Sequence, residues 1–363
     1  MGFHDDCLVL DGHTDLPTRV WEDPADLGRN LPPDRHIDLP RLRAGGVDAL
    51  VLALFVPSSL APGRGWEHAL TLHRLMLAAL PDGMTVVRNA EELRRAARRG
   101  EVAGLFALEN GRPLLVPGAL AAAVEMGVRY VTLTHWQTHE WCDASTDAPA
   151  HGGLAPEGVR LVREMNRHGV LADVSHASDD AVRHVLEVAT APPLASHSSA
   201  RALCDQPRNL PDNLVREIAR RGGLVMANSY PAFVDPAAAR ADRERGKAVT
   251  PALLETEEDY LRDPQAHWRR RQEILAAWPL PRVPLAAYVD HIVHLVDLGG
   301  EEHVGIGTDF DGIPETLDGF GDVSRFPDLT AALLARGLDR SGVRLILGEN
   351  FVRLLAEAER RAA

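Results

Sequence analysis

Short apolar runs that stop at a metal-capable or acid–base side chain dominate this chain of 363 residues. CLVLDGHTD ends in His13 and Asp15, VAGLFALE in Glu109 and GVLADVSH in His176. PLASH ends in His197 and HVGIGTD in Asp309. Helix-like stretches lie between them. A parallel barrel collects the C-terminal ends of all its strands on one rim, so residues far apart in sequence can converge there.

Eight such β-rich runs can be marked, at 7–13, 47–56, 102–108, 128–134, 170–175, 193–196, 223–229 and 303–308. Most are almost continuously apolar, as strands buried on both faces must be. Helical patterns intervene at 90–100, 117–127, 156–169, 178–189, 212–223 and 285–300, with Ser178 and Asp212 as expected N-caps. The alternation predicts an α/β chain with a closed parallel barrel, and leaves an open doubly wound sheet as the alternative. The stretch 231–284, rich in Ala, Arg, Glu and Pro, breaks the rhythm. It reads either as a helical insertion covering the rim or as a solvated helix pair. No interdomain linker is visible, so the expectation is one domain over 1–363 with an insertion at about 231–284.

A net charge of −13 argues against nucleic acid or an anionic membrane as partner. MGFHDDCLVL lacks the basic and apolar segments of a secretory signal, and no apolar run approaches a membrane span. Cys7, Cys142 and Cys204 are widely spaced, as expected of unpaired thiols in a reducing cytoplasm. Lys247 is the only lysine and ends no strand. A carboxylate shared by two cations must therefore come from Asp or Glu.

Three His, two Asp and one Glu gathered on one rim predict a two-metal hydrolytic centre. His13 and Asp15 are two positions apart, so in an extended strand they point the same way. Glu109 has two oxygens to share between two cations. His176 and His197 close neighbouring strands, each after a Ser, and suit a borderline-soft cation such as zinc. Asp309 can take a proton from an activated water, whereas Asp311 reads as structural. His135, in YVTLTHW, reads as a further ligand or as a donor to an oxyanion. Arg208, in QPRNLPDN, offers a fork for a substrate carboxylate, or is a surface Arg. Trp136 and Trp141 read as ordinary packing, and the glycines of GIGTDFDG as sharp turns.

DGHTDLP, ALENG, LTHWQTHEWCDAS, HGGLAPEGVRLVREMN, DVSHAS, SHSSAR, PRNLPDN and VGIGTDFDG occur in that order over roughly residues 10–355. The set resembles the membrane (renal) dipeptidase family of zinc peptidases. The resemblance implies a (β/α)8 TIM barrel of the metal-dependent hydrolase type with two Zn²⁺ ions. It implies His13 and Asp15 on the first zinc, His176 and His197 on the second, and Glu109 with a water or hydroxide bridging them. His135 would bind the substrate carbonyl, Arg208 the free carboxylate of a dipeptide, and Asp309 would manage the proton. Tolerance of a D-residue at the C-terminal position also follows from the resemblance. Thr14, Asn110 and Arg112 depart from the family's usual residues, and Arg112 is expected to affect which N-terminal residue fits. The chain looks like a soluble, bacterial-type member in the cytoplasm, with a homodimer as an open expectation. Two rivals remain in view: a deacylase or lactamase acting on a non-peptide amide, and a metal-stabilised barrel that binds without turnover.

Overall fold

The computed structural model describes residues 2–254 and 260–362. Eight parallel strands form the barrel, in the order β1 (Leu10–Thr14), β2 (Ala49–Phe55), β4 (Val102–Glu109), β5 (Val128–Thr132), β6 (Leu171–Asp173), β7 (Leu194–Ala195), β8 (Leu224–Ala227) and β9 (Val304–Ile306). The circle closes through a parallel bridge between Thr14 and Phe310. The backbone bond from Asp309 N to the His13 carbonyl reinforces it. All eight marked runs overlap a barrel strand, and the open-sheet alternative falls away. A ninth strand, β3 (Met84–Val86), was not anticipated. It pairs with the first half of β4 and β5 pairs with the second half, so β3 stays outside the circle.

Alternation along the strands sorts the core. Leu50, Leu52 and Leu54 of β2 face the surrounding helices, while Ala49 and Val51 face inward. Inward neighbours from other strands are Leu105, Ala107, Tyr130, Leu171, Leu194 and Met226. These bulky side chains fill the barrel, so its interior is a packed plug beneath the rim rather than a pore.

Helices α1 (Leu16–Glu22), α2 (Leu39–Ala44), α3 (Pro62–Ala79), α4 (Ala90–Arg98), α5 (Ala119–Met126), α6 (Pro156–Arg167), α7 (Asp179–Val188) and α8 (Asp212–Arg220) run through the chain in that order. The helical patterns at 90–100, 117–127, 156–169, 178–189 and 212–223 become α4 to α8. Ser178 caps α7 by accepting from Ala181 N. Asp212 does not cap α8: Pro211 holds that position, and the Asp212 carboxylate is engaged by His294 Nε2 at 3.0 Å.

Between β8 and β9 the chain forms α9 (Pro231–Val234), α10 (Pro236–Leu254), α11 (Pro264–Ala276) and α12 (Leu285–Gly299). Residues 255–259 of the expected insertion lie outside the described residues. After β9 come α13 (Phe326–Ala335), α14 (Arg340–Arg344) and α15 (Asn350–Arg361). Phe351, Leu354 and Leu355 of α15 pack against the same core as the barrel interior. Among the described residues, no helix is long and apolar enough to cross a membrane.

Candidate metal centre

Every candidate ligand sits at or just past the C-terminal end of a barrel strand, and each is buried except Asp309, which is half-buried. Glu109 is the hub. Its Oε1 lies 3.4 Å from His176 Nε2, 3.5 Å from His13 Nε2, 3.6 Å from His197 Nε2 and 3.7 Å from His135 Nε2. His13 Nε2 is 3.8 Å from Asp15 Oδ2. Ligand atoms around a tetrahedral zinc with bonds near 2.0–2.2 Å stand roughly 3.3 Å apart. Three triads have donor atoms close enough to share an ion: His13–Glu109–His197, Glu109–His135–His176 and His13–Asp15–Asp309.

The expected proximity of His13 and Asp15 holds, but for another reason. β1 is irregular between Asp11 and Thr14, and Asp15 already occupies the N-cap position of α1. The two side chains meet at a strand-to-helix corner rather than along an extended strand.

Imidazole orientation is fixed from behind. Tyr130 Oη donates to the Gly12 carbonyl at 2.9 Å, so it accepts from His13 Nδ1–H at 2.8 Å. His13 Nε2 is then a lone pair, buried and without a hydrogen-bond partner. Ser196 Oγ donates to Asp173 Oδ2 at 2.7 Å and accepts from His197 Nδ1–H at 2.7 Å. His197 Nε2 is thus also a lone pair, 2.9 Å from His176 Nε2, while His176 Nδ1 has no partner. Partners that hold one ring nitrogen and leave the other free toward the centre are what cation-binding histidines require.

The electrostatics point the same way. Burial, then the charges of Glu109 and Asp309, raise the Asp15 carboxyl well above its ordinary range. Burial also raises Asp309, and Glu109 adds to it. Glu109 itself is lowered: burial opposes its charge, but His13, His135 and Arg208 outweigh that. Burial pushes His135 down to about 4 and holds His176 and His197 well below 6.5. His13 alone of the four is raised, burial being outweighed by the Glu109 carboxylate, and the neutral imidazoles of His135, His176 and His197 beside crowded buried carboxylates fit divalent cations.

Backbone strain concentrates here. The non-glycine residues with positive φ are Asn110 (76°), His176 (68°), Asp309 (68°) and Asp311 (65°) among the described residues. Each is a candidate ligand or within two residues of one, and L-residues adopt this region only where the surroundings impose it. Of the glycines in GIGTDFDG, Gly312 closes a tight turn through its N–H to the Asp309 carbonyl at 3.0 Å. A Cβ on Gly307 would lie 1.9 Å from the Ser196 carbonyl oxygen, and one on Gly312 2.2 Å from Asp15 Oδ2. Both also permit close approach that a side chain would block.

A cavity of about 400 Å³ opens above the cluster. Its walls include Asp15, Glu109, His135, His176 and Asp309 from the rim, together with Phe55, Trp136, Tyr230 and Phe233. Trp136 is on the wall while Trp141 is fully buried, so only the second is ordinary packing. Arg245 of α10 donates to Tyr230 Oη, Asp242 and Glu315, fastening the excursion above the rim.

Arg208 is buried, and burial pulls its pKa down to about 10, still charged at neutral pH. Its Nη2 bonds the His197 carbonyl and its Nε has no partner. It sits 5.4 Å from the ring centre of Phe233, which is on the cavity wall while Arg208 is not. Arg112 turns away from Glu109: it holds the Glu140 carboxylate and the Ser58 and Leu60 carbonyls. Arg112 is not on the cavity wall. Asp311 is structural, exchanging bonds with His36. Asn228, which donates to Asp309 Oδ2 at 3.0 Å, was missed by the sequence reading, as were Tyr130 and Asp173. The serine before each of His176 and His197 was the visible trace of the Asp173 relay.

A parallel barrel with this rim defines a metal-dependent hydrolase. Comparison narrows the class: the sequence profile described as membrane dipeptidase (peptidase family M19) matches residues 3–363, and the chain belongs to that family. It is similar to dipeptidase tcpJ of Claviceps purpurea, 30% identical over 341 residues that cover 90% of this chain and 70% of that one. The probable dipeptidase PvdM of Pseudomonas aeruginosa superposes with a TM-score of 0.83 at 26% identity, covering 99% of this chain and 97% of that one. The family-M19 dipeptidase AC gives 0.79 at 25% identity, covering 97% and 98%. The protein is a peptide-bond hydrolase of the metallopeptidase kind, built on a (β/α)8 barrel.

Proposed function

We propose that the protein is a binuclear zinc dipeptidase that tolerates a D-residue at the C-terminal position of its substrate. The observation that carries this is the single oxygen, Glu109 Oε1, facing four imidazole Nε2 atoms within 3.7 Å. In this reading His13 and Asp15 hold one ion, His176 and His197 the other, and Glu109 is shared. Two bound cations supply Lewis acidity to the peptide carbonyl and acidify the attacking water. His135, neutral and on the cavity wall, steadies the carbonyl oxygen as charge develops on it. Asp309, held by Asn228, takes the water's proton and passes it to the departing amine. Arg208 receives the dipeptide's free carboxylate. The chain works as one domain in the cytoplasm, a setting suited to three unpaired buried thiols.

The purified protein is expected to carry about two zinc ions and to cleave members of a panel of L,L- and L,D-dipeptides. A metal-replete sample inactive on the whole panel defeats the reading. One observation favours a second reading, an amide hydrolase acting on non-peptides: Arg208 stands behind Phe233 rather than on the wall. C-terminally amidated dipeptides separate the two, because a carboxylate-reading enzyme cleaves them poorly.

A further inference from the structure

Helix α1 leaves the metal centre carrying polar side chains along one face. Asp15, Thr18 and Glu22 are spaced i, i+3 and i+7, and all three line the cavity. Seven residues of helix advance about 10 Å, so Glu22 stands two turns away from Asp15. Nothing in the catalytic reading uses Thr18 or Glu22. Both are more than nine-tenths buried, at 8% and 6% exposure. Thr18 Oγ1 has no hydrogen-bond partner. The Glu22 carboxylate accepts no hydrogen bond from any described residue, and its one ionic neighbour within 4 Å is His267 Nδ1 at 3.8 Å. That nitrogen is itself buried without a partner on the cavity wall. Arg271 lines the same end without forming an ion pair with Glu22. A buried carboxylate with no hydrogen bond and a single ionic neighbour at 3.8 Å is poorly compensated in a protein interior. Here three unmet groups face the same space.

We propose that Thr18, Glu22 and His267 form a subsite for the cationic side chain of a lysine- or arginine-like residue at the N-terminal position of the dipeptide. The inference rests on the dipeptidase reading and deepens it. The substrate's α-amino group lies within about 3 Å of the scissile carbonyl carbon, beside Asp15, and does not reach Glu22. A lysine or arginine side chain extends roughly 6–7 Å from its Cα and spans the remaining distance. The free carboxylate is assigned to Arg208, bonded to the His197 carbonyl just beyond β7, so the α1 side is left to the N-terminal residue. Thr18 Oγ1 supplies a polar contact part-way along, and Glu22 the charge at the end.

The test compares kcat/KM of the metal-loaded enzyme on L-Lys-L-Ala, L-norleucyl-L-Ala, L-Ala-L-Ala and L-Glu-L-Ala. Norleucine keeps the length of lysine and lacks its ammonium. Lysine is expected to be favoured over norleucine by about 10-fold or more. Glu22→Gln should lower that ratio about 10-fold, while Glu22→Asp keeps most of it. A purely structural role for Glu22 would leave the ratio unmoved. Equal turnover of lysine and norleucine substrates overturns the subsite and leaves the dipeptidase reading standing. So does a preference for L-Glu-L-Ala that disappears in Arg271→Ala. No turnover on the four overturns the subsite, and no turnover on the wider panel of L,L- and L,D-dipeptides as well overturns both. If Glu22→Gln fails to fold, the wild-type ratio alone decides.

Discussion

At the scale of single residues, the centre depends on groups that never touch a ligand. Asp173 accepts from Ser175 N, Ser196 N, Ser196 Oγ and Thr132 Oγ1, and so fixes the backbone leading to both His176 and His197. Ser196 turns that anchoring into a tautomer, because its oxygen can accept only from a protonated His197 Nδ1. Ser196→Ala frees the ring to flip or to protonate on the wrong nitrogen. Loss of such a partner typically costs 10–100-fold in metal affinity, and we expect about 10-fold here, read by competition with a graded chelator, with little change in the circular-dichroism spectrum. Undiminished affinity would remove the serine from the account. The candidate ligands themselves were legible in the sequence because each ends an apolar run. Tyr130, Asp173 and Asn228 were not, since their partners are supplied by barrel closure. Tyr130 meets His13 across 117 positions, and Asn228 meets Asp309 across 81. No local spacing announces such pairs.

At the scale of elements, the eight barrel strands were readable because burial on both faces leaves a continuous apolar run. β3 escaped, with three residues paired along half of one edge. α1 escaped because its first residues complete the motif DGHTDLP, which reads as a strand end. The excursion between β8 and β9 was recognised as an interruption, but its attachment could not be read: Arg245 lies on α10, Tyr230 before it and Glu315 beyond β9. Arg245 is nearly fully buried, and its guanidinium joins these pieces. Arg245→Ala removes the shared donor and leaves Glu315 and Asp242 facing each other. The expected result is faster limited proteolysis within 236–276 and an increase in KM of about 5-fold or more, with the barrel still folded. Cleavage at wild-type rates in that segment would show that the helices are held by their apolar contacts alone.

At the scale of the whole molecule, the barrel gathers carboxylates at a rim where water is scarce, and this makes stability depend on pH and cation together. Burial raises Asp15 and Asp309, so in the metal-free protein they hold protons that the unfolded chain has already released. Their contribution to stability is complete below pH ~4 and is lost as the pH rises through their raised values. His176 and His197 act in the opposite sense. Burial lowers them, so their contribution is present above pH ~6.5 and lost as the pH falls toward their folded values. Cation binding demands ionised carboxylates and neutral imidazoles, so in acid both sets must give up protons before a cation can be held. The stabilisation conferred by added zinc should therefore grow from pH 5 to pH 8. A Tm gain of roughly 5 °C or more is expected at pH 8, and less than half of it at pH 5. Thermal melts of chelator-treated protein with and without zinc measure both. An equal or larger gain at pH 5 would contradict a centre built from Asp15, Glu109 and three buried histidines, whatever the substrate proves to be.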